Sequence, residues 1–138
     1  MYKKILVTLE GTPTDRAIID HIKGLARQLG SRVVLLHVAS GVPARIHGSN
    51  ASGREVEKGH AFLEEVRAEL AQAGILAETQ LAYGEPSKQI VNWVNQNGCD
   101  LVAMSTHGHQ FVADLVLGTT AFSVQHSLRV PVLLLRAR

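Results

Sequence analysis

Cysteine is nearly absent from this sequence: among 138 residues, only Cys99 occurs. No intrachain disulfide can form, and a zinc site built on several thiolates is excluded. Aromatic residues are also scarce, at 4%, which argues against stacking platforms for single-stranded nucleic acid. No apolar run approaches the ~18 residues of a membrane span. An excess of one charge is missing too. Fourteen Lys and Arg face twelve Asp and Glu, for a formal net charge of +2. So even a balance offers no footprint for nucleic acid or an anionic membrane. Met1-Tyr2-Lys3-Lys4 precedes an apolar run that Thr8 interrupts and Glu10-Gly11 stops, too short for the core of a signal peptide. The expectation is a cytoplasmic protein with neither membrane nor nucleic-acid partners.

What the chain does have is apolar substance. At 46% apolar residues, it exceeds what disordered chains carry, and its length suits one domain, 1–138, with a closed core. Five short apolar runs read as strands: Ile5 to Leu9, Val33 to Val38, Leu76 to Leu81, Leu101 to Met104 and Val132 to Leu135. Most are continuous, as strands covered on both faces are. Leu76 to Leu81 alternates, with Glu78 and Gln80 facing away, and reads as an edge strand. Pro131 suits the start of the last strand.

Helical patterns fill the intervals. Thr12 reads as the cap of the first, with Pro13 next and Asp15 three residues on. Ile18, Ile22, Leu25 and Leu29 form its stripe, and Gly30 stops it. Ser52 and Glu55 read as a capping box opening the second, which carries Val56, Phe62, Leu63, Val66 and Leu70 and ends at Gly74. The third runs from Pro86 through Ile90, Val91 and Val94 to Gly98. A fourth runs from near Thr119 towards Leu128. Strands alternating with helices indicate a doubly wound α/β domain. The stretch from Ala39 to Ala51 is the one long irregular connection, of the kind that forms a flap, a binding loop or plain surface.

Open parallel sheets bind ligands beyond the carboxyl ends of their strands. Glu10-Gly11-Thr12-Pro13 follows the first strand. Ser105-Thr106-His107-Gly108-His109 follows the fourth, and Gly118-Thr119-Thr120 opens the last helix. Glycines admit close backbone approach, and a helix start offers amides to an anion. A glycine turn with a threonine cap needs no ligand, so both readings stand. The P-loop pattern GxxxxGK[ST] is missing, as is a GxGxxG after the first strand. Seven histidines are present. His107, His109, Glu10, His37 and His47 raise a metal reading, but sequence does not show convergence, and no metal is assigned. No Ser–His–Asp or Cys–His arrangement is present. Cys99 and Trp93 read as packing residues.

The spacing Ser105-x-x-Gly108, nine residues, Gly118-Thr119 resembles the G-x-x-G-(x9)-G-[ST] nucleotide motif of the universal stress protein family. The resemblance spans the chain. Lys4 to Thr12 looks like that family's first strand and turn, Leu35 to Val38 its second strand, and Gly84-Glu85-Pro86 the start of its third helix. Asp100 to Gly108 resembles the fourth strand and its turn, and Val130 to Leu134 the last strand. The resemblance implies a single-domain α/β fold: an open parallel five-stranded sheet, order 3-2-1-4-5, with helices on both faces, of the adenine nucleotide alpha hydrolase-like type. It implies a homodimer through the C-terminal strand, Val132 to Leu135. It also implies ATP or another adenine nucleotide, with Mg on the phosphates, in some members, and at most slow hydrolysis. Carried over, Gly108, Gly118, Thr119 and Thr120 approach phosphates and ribose, and Val38 and Met104 pack the adenine. Glu10 stands where Asp is usual and meets the adenine or ribose edge, or a metal on the phosphates. Thr8 stands in place of a proline, and Ser105 in place of the first glycine. His107 and His109 are accessory candidates. Between Ser105 and Thr120 there is no Lys or Arg, and this keeps a second reading open: an interaction protein of the same fold that binds no nucleotide.

Overall fold

Strands whose side chains are apolar on both sides must be covered on both sides, and this chain does so with helices. The computed structural model describes residues 1–39, 49–107 and 120–137. In chain order they form β1 (Lys4–Leu9), α1 (Asp15–Leu29), β2 (Arg32–Ala39), α2 (Ser49–Gln72), β3 (Ala77–Tyr83), α3 (Pro86–Asn97), β4 (Leu101–His107), the helical residues 120–127 (α4) and β5 (Val132–Ala137). All strand pairs are parallel, in the order β3-β2-β1-β4-β5. The expected topology is borne out, with β3 at an edge. No helix among the described residues is long and apolar enough to cross a membrane.

The pleat divides the core in two. Ile5, Val7, Leu9, Val33, Leu35, Leu101 and Ala103 face α1 and α2, where Ile18, Ile22, Leu63, Val66 and Leu70 meet them. Leu6, Val34, Leu36, Val102 and Met104 face the other way, onto Ile90 and Val94 of α3 and Ala121 and Val124 of α4. Cys99 and Trp93 pack at the margin of this second cluster.

Three boundaries differ from expectation. α1 begins at Asp15, and the threonine before it, Thr14, makes no side-chain cap bond. Thr12 does not cap through its hydroxyl: Asp15 N–H donates to the Thr12 carbonyl, and the Thr12 amide donates to the Asp15 carboxylate. Only the returning half of a capping box is made. α2 begins at Ser49, so Ser52 is internal and opens nothing. β3 begins at Ala77 and leaves Leu76 on the solvent-facing parity of Glu78 and Gln80. Gly30, in the left-handed region, ends α1 as expected. Glu85 caps α3 by accepting from the Ser87 and Lys88 amides, and the Ser87 hydroxyl, together with those amides, holds its carboxyl below the usual glutamate range. Residues 40–48, most of the long connection, lie outside the described residues, while Ala39 closes β2 and residues 49–51 belong to α2.

Candidate functional site

The switch between β1 and β4 leaves a crevice at the carboxyl ends of the strands, and the turn after β1 borders it through Glu10. That turn is held by one buried side chain. The Asp15 carboxylate accepts from the amides of Glu10 (3.0 Å), Gly11 (2.8 Å) and Thr12 (3.3 Å). Burial pushes its carboxyl above the usual aspartate range, against the pull of those three amides and of nearby His37. Gly11 has φ +82°, and a Cβ there would come within 3.2 Å of the His37 ring. Only glycine meets both conditions. Glu10, the residue between Leu9 and Gly11, is half-buried, and its Oε2 accepts from the Thr14 hydroxyl at 3.4 Å.

Above the turn lies a cavity of about 280 Å³. Thr8 and Leu9 of β1, Glu10, Leu36 and Val38 of β2, Pro86 and Ile90 of α3, Met104 and Ser105 of β4, and Thr120 of α4 line it. Six residues expected from the sequence are thereby brought together: Thr8, Glu10, Val38, Met104, Ser105 and Thr120. Gly108, Gly118, Thr119 and His109 lie outside the described residues, and His107 closes β4 with its backbone. Leu9, Leu36, Pro86 and Ile90 were missed. Leu36 lies two residues before Val38 and so shares its face of β2. Ile90 lies one helical turn beyond Pro86, on the helix that crosses this face from β3 to β4.

The walls are aliphatic, with Met104 opposite Val38. Among the described lining residues, Glu10 is the one ionisable group. Such a surface accepts a flat apolar ring at its centre and polar groups at its mouth.

Ser105 contributes differently from expectation. Alternation puts its side chain with Leu101 and Ala103, on the face opposite Met104. Its Oγ is buried and has no hydrogen-bond partner among the described residues. A ligand in the cavity therefore meets Ser105 through its backbone. Because a buried unpaired hydroxyl costs about 1–3 kcal/mol, Ser105→Ala is expected to raise stability by about 1 kcal/mol and leave ligand affinity unchanged. Urea unfolding and titration calorimetry measure the two effects.

A second cavity, about 410 Å³, backs onto the first across Glu10 and Val38. His37, Glu55, Lys58 and Phe62 are among its lining. His37 Nδ1 lies 2.9 Å from the Leu9 carbonyl, so Nδ1 carries the proton and donates. The ring also makes an edge contact with Phe62. Among the described residues, no group of three His, Cys, Asp or Glu is placed to hold a metal ion.

Comparison with known proteins agrees with this architecture. The model of the Universal stress protein family matches residues 1–136. The universal stress protein MJ0577 of Methanocaldococcus jannaschii is 24% identical, and its solved structure superposes with a TM-score of 0.87, covering 100% of this chain and 98% of that one. A universal stress protein solved in complex with cAMP is 17% identical, with TM-score 0.75 and coverage of 99% and 98%. One from Archaeoglobus fulgidus, solved in complex with dAMP, is 16% identical, with TM-score 0.71 and coverage of 96% and 97%. At these identities the structural likenesses speak for the fold.

Proposed function

Because this chain belongs to the universal stress protein family, as the family match over residues 1–136 shows, we propose that its switch-point cavity takes the base of an adenine nucleotide and that binding serves regulation rather than turnover. The observation that carries this reading is the largely aliphatic cavity between β1, β2, β4 and α3, whose polar lining residues are few: Thr8, Glu10, Ser105 and Thr120. Val38 and Met104 flank the base, Leu36 and Ile90 close the cavity behind it, and Thr8 and Glu10 meet the sugar. Thr120, with Gly108, Gly118 and Thr119, supplies hydroxyls and amides to phosphate. Relatives solved with cAMP and dAMP support the ligand class.

Charge narrows the choice. No Lys or Arg lies between Ser105 and Thr120, and Glu10 stands at the mouth. Hydroxyls and amides bind one phosphate acceptably, but each further unpaired anionic charge is costly. AMP or a cyclic nucleotide therefore suits the site better than ATP, with or without Mg. The same shortage of cations favours the second reading, an interaction protein of this fold without nucleotide. Among the described residues β5 ends the strand order with no strand on its outer side, and Leu134 is exposed. An apolar open edge needs cover, which fits a cytoplasmic homodimer joined through Val132 to Leu135.

Native mass spectrometry tests both parts. The expected result is a dimer that retains AMP or cAMP. A dimer that takes up neither these nor ATP overturns the nucleotide reading in favour of the second, and a monomer overturns the dimer.

A further inference from the structure

At the opposite end of the sheet from the nucleotide cavity, the starts of β1 and β2 and the last turns of α1 and α2 enclose a groove of about 770 Å³. Its side chains are of two kinds. Lys3, Arg27 and Arg32 are basic, and Met1, Leu29 and Leu76 are apolar yet 91%, 42% and 73% exposed. No acidic residue lines it among the described residues.

Some cations elsewhere on the described surface are matched, while others, Arg54 and Arg129 among them, stand in no ion pair among the described residues. Arg16 pairs with Asp20 and Glu69, Lys23 with Glu69, and Arg67 with Glu64. Lys3, Arg27 and Arg32 have no ion-pair partner among the described residues. The nearby Asp100 carboxylate forms no ion pair with them; it accepts from the amides of Lys3 (2.7 Å) and Lys4 (2.8 Å). The backbones of two of the three meet: the Arg32 amide donates to the Lys3 carbonyl, where β1 and β2 start side by side. Arg27 lies in the last turn of α1 and answers that helix's carbonyl end. Lys3 and Arg32 have no such duty. The apolar members are also unexplained by the core. Leu76 falls on the outward parity of β3, and Leu29 is the last residue of α1 before the Gly30 turn.

We infer that this groove docks an acidic, leucine-rich segment of a partner protein, whose carboxylates neutralise Lys3, Arg27 and Arg32 while its aliphatic side chains cover Leu29 and Leu76. Charge complementarity sets the sign of the partner. The concave shape favours an inserted segment over a flat lipid surface. Because the groove and the nucleotide cavity lie at opposite ends of the strands, the partner and a nucleotide can be bound together.

The test uses the full chain and a fluorescein-labelled synthetic peptide made only of glutamate and leucine, read by anisotropy. A glutamine–leucine peptide and phosphatidylglycerol vesicles serve as alternative ligands. The acidic peptide is expected to bind and to weaken with added salt. Its affinity is expected to fall about tenfold or more in the double variant Arg27→Glu, Arg32→Glu, and also in Leu76→Ser. The double variant Arg54→Glu, Arg129→Glu, which changes net charge equally away from the groove, is expected to bind like wild type. All these positions are exposed, and circular dichroism confirms folding of each variant. Equal losses in the two double variants, equal binding of the glutamine peptide, no peptide binding, or capture by vesicles alone would each overturn the proposal.

Discussion

Asp15→Ala is expected to lower stability by about 2–4 kcal/mol and to weaken nucleotide binding at the same time. The carboxylate is almost fully buried and accepts from three consecutive amides, those of Glu10, Gly11 and Thr12. Alanine leaves all three without an acceptor, at about 1 kcal/mol or more each. Removing a buried charge offsets part of that cost. In a domain of this size, the melting temperature should fall by about 10 °C. The turn carries Glu10 at the mouth of the cavity, so affinity for AMP should fall about tenfold. Asp15→Asn retains one acceptor oxygen and should lie between alanine and wild type.

The asparagine variant also exposes a pH signature. Burial raises the Asp15 carboxyl above its unfolded value of 3.8, so within that window the folded state binds more protons than the unfolded state. Its contribution to stability is full below about pH 3.8 and is lost as pH rises through the folded value. Relative to Asp15→Asn, the wild type should therefore lose stability on going from acid towards neutral pH. A difference that ran the other way would show that the amides, and not burial, dominate the carboxyl.

This turn also shows how far a sequence can be read. Thr12, Pro13 and Asp15 correctly marked the start of a helix, but the pattern suggested that threonine caps and aspartate assists. The structure reverses the roles, because a short carboxylate reaching back from the first turn can gather three amides where a hydroxyl takes one. Strand positions were legible because parallel strands buried on two faces must be apolar throughout, and β3 stood out as an edge through Glu78 and Gln80. Its start was misplaced at Leu76, whose hydrophobicity reads as strand but whose parity faces water. In the candidate site, Glu10 was legible as a residue just beyond a strand end, while Val38 and Met104 were legible only through the resemblance to the universal stress protein family. Pro86 and Ile90 were not, since they enter the cavity from a helix that crosses the sheet, and a crossing is a property of the topology rather than of any local pattern. The cap expected for α2, Ser52, failed for a simpler reason: a serine with a glutamate three residues on occurs inside helices as well as at their starts.

Val38→Trp is expected to abolish measurable nucleotide binding while leaving the fold intact. Val38 is half-buried near the end of β2 and lines the cavity opposite Met104. Its side chain points to the face of Leu36, which is the cavity face. An indole there can extend into the existing 280 Å³ space rather than into close-packed core, so the stability change should stay within about 1–2 kcal/mol. The ring would occupy the place proposed for adenine. Affinity for AMP and cAMP by titration calorimetry should fall at least about a hundredfold, equivalent to about 2.7 kcal/mol. Val38→Ala removes wall contacts without blocking the space and should cost only a few-fold. The pair separates two explanations that a single variant would leave mixed. If binding is lost in both, Val38 supports the site through packing, and if it is lost only with tryptophan, the base lies where the indole does. Wild-type affinity in Val38→Trp would move the base out of this cavity altogether, leaving the larger space behind Glu10, beside His37 and Phe62, as the place to look.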